Sequence, residues 1–205
     1  MQANVAGSVD RLLAEAAFGD RPDRWPLPAA GTPAQLWLRA VAAGGQGRYG
    51  AALHDLARLR RTATAGRLAS LAHSTQGSFL RQLGWHALAR GWDGRALALA
   101  GDDPEAGADA LIGLAADALG VGRFAAAAAL LAAALCSAGD IERARTVADT
   151  ALHTTARLRL VPLRWALACL LIDIGSVEFS SRQLHEIREV CAGQVRRAGG
   201  TWRSA

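Results

Sequence analysis

From Pro33 onward, apolar residues at helical spacing run in short stretches broken by glycine-marked turns. This alternation is the strongest constraint on the fold, because connections of only a few residues force successive helices to lie antiparallel. The spacing predicts helices over roughly 33–44, 49–61, 65–75, 78–90, 93–100, 105–119, 123–137, 141–157, 162–174 and 177–197. Thr32-Pro33 reads as an N-cap followed by proline at the first helical position. Asp103-Pro104-Glu105 repeats that form with an acidic first turn. Gly139-Asp140 and Gly175-Ser176 each combine a helix stop with a cap for the next helix. Ahead of these, Val9, Leu12, Leu13 and Ala16 fall at helical spacing, and Pro22, Pro26 and Pro28 surround Trp25. The expected organisation is an N-terminal helix and Pro-rich arm over 1–32, a helical domain over 33–198 and a flexible tail over 199–205. The arm, 19–32, is expected to fold back over the start of the helical domain.

Composition agrees with an all-α fold. The chain is 51% hydrophobic but only 5% aromatic, and runs of β-branched residues are scarce, which disfavours strands. All 23 basic residues are Arg, a usage typical of a GC-rich bacterial genome. The net charge of +5 is modest and does not by itself imply nucleic acid. Three Arg clusters stand out: Arg58, Arg60, Arg61 and Arg67; Arg157, Arg159 and Arg164; and Arg196, Arg197 and Arg203. No DNA-reading motif accompanies them, so a nucleic-acid partner is not favoured. Phe124–Cys136 is the longest apolar run and is too short for the roughly 20 residues of a membrane span. The N-terminal stretch lacks a basic leader and is interrupted by Asp10, so a cytoplasmic protein without a membrane partner is expected. Cys136, Cys169 and Cys191 are dispersed within helical stretches and read as small buried apolar residues.

No motif nominates catalysis. The glycine-rich stretch Gly44–Gly50 lacks a preceding strand and the GK[ST] of a phosphate loop, and reads as an inter-helix turn. His54, His73, His86, His153 and His185 are scattered without metal-ligand spacing. Neither enzyme activity nor a metal or other cofactor is expected.

Two blocks share a spacing. Leu80, Leu83, Gly84, Ala87, Gly91, Ala96 and Ala100 match Leu111, Leu114, Ala115, Ala118, Gly122, Ala127 and Leu131 at an offset of 31, as from Leu80 to Leu111. Phe124 and Ala134 also fall at positions of the pattern. Weaker blocks begin at Leu36 and Leu167, and Gly139 to Ala151 fit a turn and second helix half a repeat out of phase. The pattern resembles the tetratricopeptide repeat, a helix–turn–helix of about 34 residues. It covers about 34–192, with the family's Trp and Tyr anchors mostly replaced by Leu and Ala.

The resemblance implies a right-handed superhelical array of antiparallel helix pairs. Gly84 or Ala115 would let paired helices approach, and Gly91 or Gly122 would end the first helix of a pair. The first helix of each pair would line a concave groove. Carried over, this places Trp37, Ser78, Arg81, Trp85, Ile112 and Trp165 at a partner-binding groove, with Asp109 and Cys169 beside it. The family's clamp on a peptide carboxylate uses Asn with Lys or Arg. Asn4 is the one Asn here and Lys is absent, so that mode is not expected. The resemblance implies a protein–protein interaction scaffold or adaptor for an amphipathic helix or hydrophobic peptide; a homo-oligomer is compatible with it. The second expectation is a stand-alone regulatory or sensor module linked to transcription control, with any effector remnant in 183–205.

Overall fold

The computed structural model describes residues 2–197, and among them there are ten helices and no strand. The all-α expectation holds. The expected tail and Arg203 lie outside the described residues. The helices are α1 Gln2–Phe18, α2 Pro33–Gly45, α3 Tyr49–Thr62, α4 Arg67–Gln82, α5 His86–Ala100, α6 Pro104–Gly120, α7 Phe124–Ser137, α8 Ile141–Arg157, α9 Val161–Ile174 and α10 Ser181–Arg197. No described helix is long and apolar enough to cross a membrane.

Five connections are built in the same way. α2–α3, α4–α5, α6–α7, α7–α8 and α8–α9 turn on a residue with positive φ: Gly47 at 73°, Gly84 at 80°, Gly122 at 75°, Gly139 at 82° and Arg159 at 55°. In each, the following N–H donates to the carbonyl five residues back. Arg48 donates to Ala43, Trp85 to Leu80, Arg123 to Ala118, Asp140 to Leu135 and Leu160 to Thr155, at 2.8–3.0 Å. The turn residue's own N–H donates three residues back, which completes a Schellman C-cap. The residue that closes the cap is also the N-cap of the next helix. One position therefore stops a helix and its neighbour starts the next.

Four of these turns recur at nearly constant distance. Gly47 to Gly84, Gly84 to Gly122 and Gly122 to Arg159 are steps of 37, 38 and 37 residues. Twelve residues beyond each turn lies a buried apolar side chain: Leu59, Ala96, Ala134 and Leu171.

The sequence expectation fails between 65 and 100. The predicted segments 65–75 and 78–90 are replaced by one helix, α4, which runs through Gly77 and stops at Gln82. Gly84 is then a turn residue rather than a point of helix–helix approach, and Gly91 lies inside α5 rather than ending a helix. The offset of 31 paired Gly91 with Gly122, which occupy unlike positions. The physical reason lies at Gly77: a Cβ there would come within 2.7 Å of the Asp93 carboxylate. Gly77 serves close approach inside a helix, not a break in one. A second difference concerns Ser176. It does not cap α10; its Oγ accepts from Glu178 N and Phe179 N within the α9–α10 connection. α10 is instead preceded by Ser180, whose N–H donates to Gln183 Oε1 at 2.9 Å. The other caps form as read: Thr32 Oγ1 accepts from Gln35 N, Asp103 Oδ1 from Ala106 N and Asp140 Oδ1 from Arg143 N.

The chain divides into two compact units, Met1–Gly113 and Leu114–Ala205. In the first, α1 packs on α2, and α4 packs on α2, α3 and α5. Its core includes Leu36, Leu56, Leu59 and Phe79. In the second, α7 packs on α8 and α9, and α9 on α10, around Leu152, Leu167, Leu171 and Leu184. Each fully buried Leu contributes about 1.5–3 kcal/mol relative to an exposed one. Small residues set how near the helices come. The Phe79 ring of α4 lies against Gly44 of α2, where a Cβ would overlap the ring.

The arm does fold back onto the start of the helical domain. Gln46 Nε2 donates to the carbonyls of Pro22 (2.8 Å) and Arg24 (3.0 Å). Leu27 and Ala30 pack on the first core, and the Arg48 guanidinium lies 3.9 Å from the centroid of Trp25.

Candidate functional site

The first unit carries a cavity of about 470 Å³. One face of α4 supplies half of it: Arg67, Leu71, Ser74, Thr75, Ser78, Arg81 and Gln82 recur every three to four residues. Trp37 and Val41 come from α2, Ala17 and Phe18 from the end of α1, and Glu105, Ala106 and Asp109 from α6. The floor is apolar. Phe18 and Trp37 pack in a tilted pair with ring centroids 5.6 Å apart, and Trp37 Nε1 donates to Thr75 Oγ1 at 3.0 Å.

The charged side chains around the floor have partners within the fold. Arg67 Nη1 pairs with Glu105 Oε2 at 2.5 Å and approaches Asp103 at 3.6 Å. The hydrogen bond that Arg67 donates to Glu105 raises its guanidinium above the ordinary value. Ser74 Oγ donates to Asp109 Oδ2 at 2.5 Å. Arg81 pairs with Asp93, whose side chain is fully buried between Gly77 of α4 and Gly113 of α6. A Cβ at Gly113 would come within 2.6 Å of that carboxylate. A burial this complete is tolerable only because the charge is paired. Both Arg side chains are thus engaged by carboxylates, while Asp109, bonded to a neutral serine, keeps its negative charge, an arrangement that disfavours an anionic occupant.

The predicted groove residues divide. Trp37, Ser78, Arg81 and Asp109 line this cavity together. Trp85 does not: it is the N-cap of α5 and 57% exposed. Ile112, on α6, is 53% exposed and is not among the lining residues. Trp165 and Cys169 lie on α9, in the second unit. Phe18, Leu71 and Thr75 are lining residues that the sequence reading does not single out, and Arg67 is named there only as part of an Arg cluster. Splitting α4 at Gly77 hid the single face that carries Arg67, Leu71, Ser74, Thr75, Ser78, Arg81 and Gln82. The signal was present, since Leu71, Ser74, Thr75 and Ser78 follow helical spacing without interruption.

The cysteines are free thiols, and burial raises Cys169 and Cys191 above the ordinary thiol value. Among the described residues no group of His, Cys, Asp and Glu is placed to hold a metal ion. Of the Arg clusters, Arg60 lies 5.1 Å from the Trp92 ring centroid and Arg67 is engaged with Glu105, so the first is partly consumed by the fold.

No protein-family profile, curated protein or solved structure matches this chain.

Proposed function

We propose that the chain is a protein–protein interaction scaffold of degenerate tetratricopeptide kind, which binds a neutral, apolar segment or helix of a partner in the groove of the first unit. One observation carries this reading: α2, α4 and α6, which line the groove, each precede a turn of the 37–38-residue series. In the tetratricopeptide arrangement the first helix of each pair has that position. The Gly44–Phe79 contact between α2 and α4 adds support, because helices two apart in sequence touch in a stacked array. The apolar floor with a polar rim matches the general anatomy of peptide-binding sites. The reading takes the role as binding, in keeping with a lining of apolar side chains, serines and carboxylates already engaged within the fold.

The test is selection of displayed random peptides on the full chain, with counter-selection on Ser78→Trp. Ser78 is only partly buried, so a Trp there fills the groove without opening the core. Arg81→Glu is unsuitable, since it would set a second carboxylate against buried Asp93. The expected outcome is a shared apolar motif that binds wild type and Trp85→Ala alike and loses at least tenfold on Ser78→Trp. Equal binding to all three chains rejects the reading.

A further inference from the structure

The second unit carries a larger and different cavity, of about 800 Å³. It sits at one end of the unit, between the first turns of α7 and α9 and the last turn of α8. Phe124, Leu158, Leu160 and Leu163 supply its apolar wall, and Ala125 and Ala126 leave it room. Phe124 and Leu158 are 68% and 58% exposed, more than a side chain of either kind needs to be in a closed core. No carboxylate lines it. Arg123 and Arg157 do, and Arg159 lies exposed between two lining residues.

Charge separates this cavity from the first one. Arg67 and Arg81 in the groove are each held by a carboxylate. Among the described residues, none of Arg123, Arg157 and Arg159 is paired with a carboxylate; Arg157 donates only to Thr154 Oγ1, at 3.5 Å. Arg159 adds a second signal. At the turn position where the other four connections carry Gly, this one holds a non-glycine residue at φ 55°. The left-handed conformation costs an L-residue about 1–2 kcal/mol. A strained position of this kind points to a use for the side chain.

We propose that this socket binds the head and proximal chain of a monomeric, single-chain carboxylate amphiphile of the fatty-acid class. Its volume lies within the roughly 300–1,000 Å³ of small-molecule sites, and its lining is apolar with few polar groups. The unpaired Arg side chains at its edge complement a carboxylate. The socket is bounded by three helix ends, whereas a docked helix about 10–12 Å across needs a trough running along helices. The proposal concerns the second unit alone and stands independently of the peptide-groove reading.

The experiment titrates the full chain with decanoate below its micelle concentration, with decylammonium and decanol as matched-chain controls. Binding is read by calorimetry and by backbone NMR shifts. Decanoate is expected to bind once, to shift residues 123–126 and 158–163, and to bind at least tenfold more tightly than decylammonium. Arg123→Glu with Arg157→Glu should weaken decanoate about tenfold, and Ala126→Phe should block it by filling the socket. Unchanged resonances elsewhere in the second unit show that each variant is folded. Equal affinity for carboxylate and ammonium, or no effect of either variant, overturns the proposal. So does binding to anionic vesicles without binding to monomeric decanoate. A doubled molecular mass reversed by Phe124→Asp overturns it too, by assigning the patch to a second copy of the chain.

Discussion

At the residue scale, the left-handed turns and the buried carboxylates decide most. Gly84 has open space where a Cβ would stand, so Gly84→Ala meets only the cost of its φ of 80°. Urea unfolding should show it about 1 kcal/mol less stable. Arg159→Gly should move the other way, by about 0.5–1 kcal/mol, because its φ of 55° is already left-handed. Asp55 is fully buried beside Arg39, with Nε 3.1 Å from Oδ2. Desolvation outweighs the attraction of Arg39 and raises the Asp55 carboxyl above 3.8. A carboxyl raised on folding favours the folded state at low pH. That contribution is complete below 3.8 and is lost as pH rises through the raised value. Asp55→Asn should therefore be no less stable than wild type at neutral pH, and its advantage should shrink as pH falls towards 4. A variant clearly weaker at neutral pH would show that the Arg39 pair outweighs the burial.

At the scale of elements, the glycines inside helices separate into two kinds. Gly91 and Gly94 of α5 are exposed and face open space. Replacing either by Ala should stabilise the chain by about 0.5–1 kcal/mol, as expected of an exposed helix interior. Gly77→Ala or Gly113→Ala would press a methyl group against the Asp93 carboxylate and should cost about 1–3 kcal/mol. Differential unfolding of these four variants checks the placement of α4 and α5 directly; a loss at Gly91 would restore the turn there. The same glycines explain what the sequence could tell. Capping pairs such as Thr32-Pro33 and Asp103-Pro104 act through neighbouring residues, and the helices they open begin where expected. Gly77 answers to Asp93, sixteen positions away, and nothing local distinguishes it from a breaker.

At the scale of the whole molecule, the offset of 31 read from the sequence is not the interval at which the turns recur. An Ala-rich chain offers many chance coincidences of small residues, so an offset of 31 could be fitted between Leu80 and Leu111. The interval that the turns follow, 37–38 residues, rests on one hydrogen-bonded device repeated at Gly47, Gly84, Gly122 and Arg159. Trp37, Ser78 and Arg81 line one cavity, Trp37 from α2 as expected and Ser78 and Arg81 from α4, whose last turns overlap the segment expected from 78. Trp85 does not, because the helix thought to carry it ends at Gln82. The groove reading is tested most directly by placing a photo-crosslinking amino acid at Ser78 in one chain and at Trp85 in another, within the native cell. Adducts from position 78 to a defined segment of one partner, not formed from position 85, are predicted. The same adducts from both positions, or none from position 78, would contradict it.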